Sequence, residues 1–515
     1  MGIEKKVIIL LILMILSRAL GFFKEVVIAF YFGASEVADM LYISLQIPNI
    51  FYSILGGALL TAIVPYFMKI RGNEGAIQGN RFVSVILMGV CIATIIIMAA
   101  LIPSASYLMD ILAPGIQGSN KLLLVSLFKI TIISIPLYCL IMVINGVLSS
   151  FKKFGNLEIV QIITNFTAVL FVIIYYQKIN VYSFPLGVII GYLIGLIFII
   201  IYSMKFVKYD LRNNPFEKIY WKKFLVILMP IILTLGINQV YMLFEKVIGS
   251  FLSYGSIASL NYANKVMQLP SGIFATAIST VYYPELTEKA INKKFPELKN
   301  DIYNAIGLIT IISLPCAVIF FNYSETVISL LFGYGNFDER SIELTSSALK
   351  YYSIGIWFIC ITTLITKVYY VLDKTKQPLI IMSISIVFSI ILSLSLLTVM
   401  QHRSIALGFS SIFIINSLIL LSYLKKFKVN ISFTQLIVNL WPIIIGNLII
   451  YFLSKIITIP IDLNKLELVI KFVFVTFLLM IMYLFILIIC RDKITWSILT
   501  MLNKKLKVKN YFFKE

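Results

Sequence analysis

The sequence predicts an all-α integral membrane protein with about 14 transmembrane helices. Of its 515 residues, 60% are hydrophobic and 13% are charged, whereas a soluble globular protein carries about 25% charged residues. The apolar residues come in repeated blocks of about 20, the length needed to cross the hydrocarbon of a bilayer. Because no water satisfies backbone polar groups there, such blocks form helices. The alternation typical of barrel strands is absent.

The predicted spans are numbered 1 to 14 in chain order. Span 1 starts in the apolar run Ile8–Leu16, which leads into Arg18 without a small-residue cleavage site. We therefore expect a membrane helix here and not a cleaved signal peptide. Prolines inside five other spans predict kinks. The ranges are 7–32, 39–67, 82–104, 122–148, 158–176, 184–206, 223–252, 257–283, 301–322, 343–370, 378–399, 405–424, 434–455 and 468–490.

Basic residues alternate between successive loops. They precede span 1, follow each even-numbered span, and fill the tail after span 14, whereas the loops Gly33–Ala38, Ser253–Ser256 and Asn322–Glu339 carry none. Cytoplasmic loops are the ones that accumulate lysine and arginine. The pattern therefore predicts a multi-pass protein of the bacterial cytoplasmic membrane with both termini in the cytoplasm. It also explains the net charge of +20 without nucleic acid as a partner.

The chain also contains an internal repeat. Shifting the sequence by about 222 residues places Gly33 on Gly255, Gln46 on Gln268 and Pro48 on Pro270. Spans 1–6 and 7–12 are therefore predicted to form two six-helix lobes, at 1–221 and 222–430, with spans 13 and 14 and a basic cytoplasmic tail at 431–515. An even number of spans per copy makes the repeats parallel. Transporters of this kind bind substrate between the halves and alternate access by rocking.

Charged residues inside membrane spans are costly, so each one is a candidate functional residue. If spans 1, 2, 7 and 8 face a shared cavity, the charges give it a cationic excess suited to an anionic head group such as a pyrophosphate. An alternative is that neighbouring acids and lysines partly neutralise one another, although adjacent helical residues point about 100° apart. Lys246 can also extend toward its helix end. The candidates are Arg18, Lys24, Glu25, Asp39, Glu245, Lys246 and Lys265.

No arrangement of residues points to an enzyme. The chain has no P-loop, a single histidine and no CxxC pair, so neither direct ATP drive nor a metal site is expected. The five cysteines lie in apolar blocks and are interpreted as small buried hydrophobic residues. The abundant tyrosines are attributed to enrichment at the membrane interface.

Several motifs resemble the lipid II flippase family (MurJ, also called MviN) of the multidrug/oligosaccharidyl-lipid/polysaccharide exporter superfamily. The resemblance extends over spans 1 to 12. We also count Asn49 among the candidate substrate-binding residues. The stretches that carry the resemblance are Ser17–Glu25, Phe32–Ala34, Ala38-Asp39, Pro48-Asn49, Leu112–Gly115, Asn261–Gly272, Leu331-Phe332, Gly335, Phe337-Asp338 and Arg340-Ser341.

The resemblance implies two six-helix lobes plus two C-terminal helices that hold a lipid tail. It implies undecaprenyl-pyrophosphate carrying the peptidoglycan precursor as substrate. The family's cavity arginines correspond to Arg18, Lys24 and Lys265, two of which are lysines here. Lysine keeps the charge but lacks the bidentate fork of arginine. The family's arginine after Pro-Asn is absent from Ile50–Ser53, and its Glu-Gly-Ala segment reads Gly56-Gly57-Ala58.

We therefore expect a flippase that moves lipid II to the outer leaflet for cell-wall synthesis and cell shape. We expect a monomer that has no cofactor and contacts membrane lipids. Membrane potential or a monovalent cation can drive its transport cycle. Three alternatives stay open. A flippase for another polyprenyl-linked oligosaccharide would use the same cavity. A cation-coupled drug exporter would have an apolar or acidic cavity. A membrane glycan polymerase would need catalytic residues on long outer loops, and these loops are short.

Overall fold

The computed structural model describes residues 3–490 and 496, except 211, 213, 238, 428 and 461–463. All regular structure in these residues is helical, and they contain no strand. The all-α prediction is therefore confirmed. The predicted basic tail from Arg491 onward lies, except for residue 496, outside the described residues, as does Lys428.

Backbone contacts divide the chain into two compact units. Unit one comprises Met1–Asn261 and Tyr334–Ser341, and unit two comprises Tyr262–Gly333 and Ile342–Glu515. The predicted division into lobes at 221 and 430 stays a prediction.

Eleven α-helices lie within unit one. They are α1 Ile3–Phe32, α2 Glu36–Ser44, α3 Gln46–Phe51, α4 Gly57–Leu101, α5 Ala105–Leu112, α6 Gly118–Thr131, α7 Ser134–Ser150, α8 Asn156–Ile179, α9 Ser183–Ser203, α10 Lys218–Ile237 and α11 Val240–Gly249. A π-helical segment, π1, joins α3 to α4 at Tyr52–Gly56, and a 3₁₀ turn precedes α9 at Asn180–Tyr182.

Helix α12, Ser256–Pro270, begins in unit one and continues into unit two. A second π-helical segment, π2, follows it at Ser271–Ala275, and a 3₁₀ turn follows α19 at Leu424–Phe427. The remaining helices are α13 Thr276–Ile291, α14 Phe295–Asn322, α15 Ser324–Phe332, α16 Glu339–Ser353, α17 Ile356–Val371, α18 Lys376–Met400, α19 His402–Tyr423, α20 Phe433–Ile456 and α21 Lys465–Ile489.

Nine helical segments of the described chain are long and apolar enough to cross a membrane, or ten if the bent pair α16–α17 counts as one span. The predicted count of fourteen is not confirmed by these segments. Two of them, Glu36–Leu101 and Asn156–Ser203, each contain two predicted spans. Within the first, α4 breaks at Gly75, whose φ of +87° interrupts the helix between predicted spans 2 and 3.

Helices α8 and α9 pack closely because α9 carries glycine at every fourth position. A Cβ on Gly191 would lie 2.6 Å from the Thr164 Cα, and one on Gly195 would lie 2.7 Å from a Val160 methyl carbon. Gly187 approaches α8 in the same way. Small residues at this spacing let membrane helices come close enough for extensive van der Waals contact.

In unit two, polar side chains fasten the two C-terminal helices to α14 and to the residue that follows it. The Asn322 amide donates to the Tyr451 carbonyl at 3.0 Å, and the Tyr323 hydroxyl donates to the Ile457 carbonyl at 2.9 Å. From α21, the Tyr483 hydroxyl donates to the α14 carbonyl of Ile311 at 3.2 Å. These helices are therefore fixed to unit two by hydrogen bonds as well as by apolar packing.

Candidate functional site

The second half of α1 carries three charged residues that differ in accessibility. Arg18 is exposed, Lys24 retains 22% of its side-chain exposure, and Glu25 is buried. The Lys24 ammonium lies 3.5 Å from the Glu25 carboxylate and 5.7 Å from the centroid of the Phe184 ring. Glu25 is thus held by its neighbour, while Lys24 stays partly accessible.

The Glu25 carboxylate also joins α1 to other helices of unit one. It accepts a hydrogen bond from the Tyr42 hydroxyl at 2.8 Å and a longer one from the Asn261 amide at 3.5 Å. A buried carboxylate needs such partners because the loss of hydration is costly. Glu25 therefore links α1, α2 and the first part of α12.

Glu245 and Lys246 form a second pair of adjacent residues, on α11. The ammonium of Lys246 donates to the Glu245 carboxylate at 2.8 Å, and both side chains are buried. Of the two alternatives to a cavity role, this geometry matches mutual neutralisation by the neighbouring acid and not extension of Lys246 toward the helix end. Sequence neighbours point in different directions, but their long side chains bend toward each other because each buried charge is costly without a partner.

Asp39, on α2, binds the start of α12. Its two carboxylate oxygens accept hydrogen bonds from the backbone N–H groups of Gly255 and Ala258, each at 2.6 Å. A helix begins with N–H groups that lack partners inside the helix, and its N-terminus favours negative charge. The buried Asp39 therefore caps α12 from a different helix.

Three glycines with positive φ surround this cap: Gly33 (+60°), Gly255 (+84°) and Gly335 (+63°). A Cβ on any of them would clash with a backbone oxygen of another segment, namely that of Asn336, Ala34 or Phe30 respectively. We call this contact region, all within unit one, the three-glycine junction. It joins the α1–α2, α11–α12 and α15–α16 loops, which are the three loops found above to lack lysine and arginine.

Hydrogen bonds reinforce the three-glycine junction. The Ala34 N–H donates to the Ser341 hydroxyl at 3.1 Å, and the Asn336 N–H donates to the Phe30 carbonyl at 2.8 Å. The Arg340 guanidinium carbon lies 3.4 Å from the Tyr254 ring centroid. The contact between the three loops agrees with their assignment to one side of the membrane, which their shared lack of basic residues predicts.

The candidate residues therefore fall into an accessible group and an engaged group. Arg18, Asn49 and Lys265 are exposed and Lys24 is half-buried, whereas Glu25, Asp39, Glu245 and Lys246 are buried in contacts within the protein. The charges of the candidates in unit one balance, so the predicted cationic excess depends on Lys265. Lys265 belongs to unit two, and a cavity shared by all of these residues stays a prediction.

Sequence reasoning missed a cluster of three tyrosines in unit one. The rings of Tyr52, Tyr138 and Tyr192 lie 4.5 to 5.7 Å apart between centroids, and the Tyr52 hydroxyl donates to Ser134. Each tyrosine lies well inside its predicted span, so interface enrichment does not explain these three. The composition alone could not separate them from interfacial tyrosines.

The sequence matches the model of the family described as "Lipid II flippase MurJ" over residues 28–486. A relative named "Probable lipid II flippase MurJ", from Buchnera aphidicola subsp. Baizongia pistaciae, is 27% identical over 420 residues, covering 80% of this chain and 81% of that protein. "Lipid II flippase MurJ" of Burkholderia cenocepacia is 24% identical over 427 residues, covering 80% and 82%.

Solved structures give the same result for the fold. A structure titled "Lipid II flippase MurJ, inward closed conformation" superposes with a TM-score of 0.81 at 25% identity, covering 95% of this chain and 100% of that one. An inward-facing multidrug transporter of the MATE family gives a TM-score of 0.68 at 13% identity, covering 81% and 96%. At that identity the second likeness shows the shared fold alone.

Proposed function

Because the chain belongs to the lipid II flippase MurJ family, we propose that it moves lipid II from the cytoplasmic to the outer leaflet for peptidoglycan synthesis. Lipid II has a pyrophosphate between its polyprenyl tail and its saccharide. The observation that carries the proposal is the set of accessible cations inside predicted membrane spans. Arg18 and Lys265 are exposed and Lys24 is half-buried, at a depth where unneeded charge is selected against.

Arg18, Lys24 and Lys265 bind the pyrophosphate in this proposal, and the exposed Asn49 adds an amide that can hydrogen-bond to the head group. Lysine offers a compact charge with three donors, whereas arginine offers a planar fork. A site with two lysines therefore tolerates more variation in phosphate orientation than one built from arginines. The buried acids are not direct ligands in this scheme, because each already has partners in the protein.

The three-glycine junction acts as the outer gate. In this proposal Asp39 holds the start of α12 while the head group enters from the cytoplasm, and the cap breaks when the head group is released outside. The ion pairs of Glu25 with Lys24 and of Glu245 with Lys246 keep the helices beside the gate charge-balanced. Pyrophosphate competes with Glu25 for Lys24, which couples substrate binding to the helices that Glu25 joins.

We further propose that both termini face the cytoplasm, that the protein acts as a monomer, and that no cofactor is required. Moving one elementary charge through 100 mV is worth about 2.3 kcal/mol. A cavity that changes sides while carrying net positive charge can therefore use membrane potential, and a monovalent cation is the alternative driver. Flipping with and without a dissipated potential, in vesicles that lack added sodium, distinguishes the two.

The test of function is complementation of a bacterial strain depleted of its own lipid II flippase. The chain should restore growth, and lipid II should co-purify with it. Lys24→Ala and Lys265→Ala should abolish growth, while Lys24→Arg should retain it because the charge stays. Lys178→Ala removes an exposed lysine from the end of α8 and serves as the matched control. Normal growth with well-expressed Lys24→Ala and Lys265→Ala would contradict the pyrophosphate assignment.

A further inference from the structure

Two clusters of lysine and aromatic side chains, one in each unit, occupy repeat-related positions. The first lysine–aromatic cluster is Lys153, Tyr202, Lys205 and Phe206. The second is Lys374, Tyr423, Lys426 and Phe427, and every member lies 221 positions after its counterpart. The repeat is thus reproduced in side-chain detail at the ends of α7 and α9 and of α17 and α19.

In the first cluster, each of the two lysines lies close to one aromatic ring. The Lys153 ammonium lies 5.3 Å from the Phe206 ring centroid, and the Lys205 ammonium lies 5.7 Å from that of Tyr202. The two rings are 5.7 Å apart. These distances are those of cation–π attraction, which holds an ammonium in place without neutralising it.

The second cluster repeats these contacts. Lys374 lies 5.5 Å from the Phe427 centroid and Lys426 lies 4.3 Å from the Tyr423 centroid, with 5.8 Å between the rings. The exposure also corresponds, since Lys205 and Lys426 are exposed while Lys153 and Lys374 are half-buried.

The backbone that presents the inner lysine is the same in both clusters. Lys153 N–H donates to the Leu148 carbonyl at 3.0 Å, and Lys374 N–H donates to the Tyr369 carbonyl at 2.9 Å. The preceding residue has a positive φ in each case, +57° at Lys152 and +55° at Asp373. A non-glycine residue in this conformation is strained, so both loops hold the lysine in one orientation at some energetic cost.

The lysines keep their charge available. Among the described residues, none of the four ammonium groups lies within 4.0 Å of a carboxylate oxygen. The first cluster also adjoins Arg71, whose guanidinium carbon is 4.6 Å from the Phe151 ring centroid. One buried nitrogen of Arg71 has no hydrogen-bond partner in the described part of the chain.

We propose that each cluster binds the phosphate of an anionic phospholipid head group, one lipid for each repeat. Both clusters follow even-numbered predicted spans, whose loops the charge pattern assigns to the cytoplasmic side. Basic residues between helix ends on that side attract anionic lipids, and lysine and tyrosine reach the head-group layer from apolar stems. The bound lipid supplies the counter-charge that the described part of the chain does not.

The two sites differ in charge. Asp373, which precedes Lys374, occupies the position that Lys152 holds before Lys153, and the first cluster alone adjoins Arg71. The first site is therefore the more positive and binds its lipid more tightly.

The test is native mass spectrometry of the full chain in detergent, titrated with phosphatidylglycerol or with zwitterionic phosphatidylcholine. Phosphatidylglycerol should bind in two steps that phosphatidylcholine lacks. Lys153→Gln with Lys205→Gln should weaken the tighter step about 30-fold, at about fivefold for each lysine near a membrane surface. Lys374→Gln with Lys426→Gln should weaken the other. The matched control is Lys218→Gln with Lys222→Gln, two exposed lysines of α10 outside both clusters.

Thermal unfolding of each variant shows that the fold is retained. Phe206→Leu provides a second probe, because it removes the ring but leaves every charge; binding should weaken by less than for the lysine pair. Unchanged phosphatidylglycerol binding in both lysine-pair variants would overturn the proposal. So would an equal loss in the α10 control, which would indicate general charge attraction. Displacement of the lipid by millimolar inorganic phosphate would overturn the assignment to a lipid.

Discussion

Asp39→Asn is the substitution that tests the outer gate most directly. Asp39 accepts two backbone hydrogen bonds of 2.6 Å from the start of α12. Asparagine has nearly the same shape, but only one of its two terminal atoms accepts a hydrogen bond. Its amide nitrogen would face an N–H group, so one bond is lost and the other becomes a neutral one.

The expected cost is about 2 kcal/mol. A hydrogen bond to a charged group contributes about 1.5–3 kcal/mol and a neutral one about 1 kcal/mol, while the smaller desolvation of the neutral amide offsets part of the loss. Replacing a helix cap costs about 0.5–2 kcal/mol in other proteins. At 1.4 kcal/mol for each factor of ten, the gate should open about 30-fold more often.

Thiol labelling measures that opening. Ala34 is 5% exposed inside the three-glycine junction, so Ala34→Cys, in a background without the five native cysteines, reacts only when the gate is open. Asp39→Asn should raise its labelling rate about 30-fold. Asp110→Asn is the control, because Asp110 forms a surface ion pair with Lys121 and makes no contact in the three-glycine junction described above. Equal labelling rates for the Asp39→Asn and Asp110→Asn proteins would refute the gate.

Three further substitutions test other parts of the structure. Gly255→Ala should lower the free energy of gate opening by about 2 kcal/mol or more, because Gly255 has a positive φ and the added Cβ would clash with the Ala34 carbonyl oxygen. The labelling rate of Ala34→Cys measures this change. Gly191→Leu should separate α8 from α9 and lower the unfolding temperature in detergent by several degrees, whereas Gly72→Leu, where nothing lies within 4 Å, should not. The hydrogen bond with Asp301 raises the pKa of Lys289. Its stabilisation is present below the unfolded pKa and is lost as pH rises through the raised folded pKa. Lys289→Met should therefore lower the unfolding temperature at pH 8 but not at strongly alkaline pH.

The sequence is sufficient for the helical architecture because membrane insertion leaves few alternatives. Apolar block length, loop charge and the internal repeat can each be recognised in the sequence without knowledge of side-chain packing. The α1–α2, α11–α12 and α15–α16 loops were assigned to one side from composition alone, and their contacts in unit one agree. The break at Gly75 was not predicted, because a polar loop between two spans does not reveal that it continues as helix on both sides.

The sequence is enough to nominate candidate residues, but it does not reveal the contacts that each of them makes. Glu25 and Lys246 were identified by the cost of buried charge, which depends on residue type alone. Their engagement with Tyr42, Asn261 and Glu245 depends on side-chain direction and on distant segments, which spacing does not reveal. The cap formed by Asp39 joins residues about 216 positions apart, and no sequence pattern in a single chain encodes that pairing.

The two π-helical turns affect how the helix segments before and after them are rotated relative to each other. Segment π1 begins four residues after Pro48 and π2 directly follows Pro270, so both repeats widen the helix close to equivalent points. A π turn accommodates one residue more than an α turn. An extra residue in a uniform α-helix would rotate everything beyond it by about 100°, and the wide turn absorbs that residue locally. A one-residue difference in chain length is therefore confined to these short segments and does not turn the helix faces beyond them.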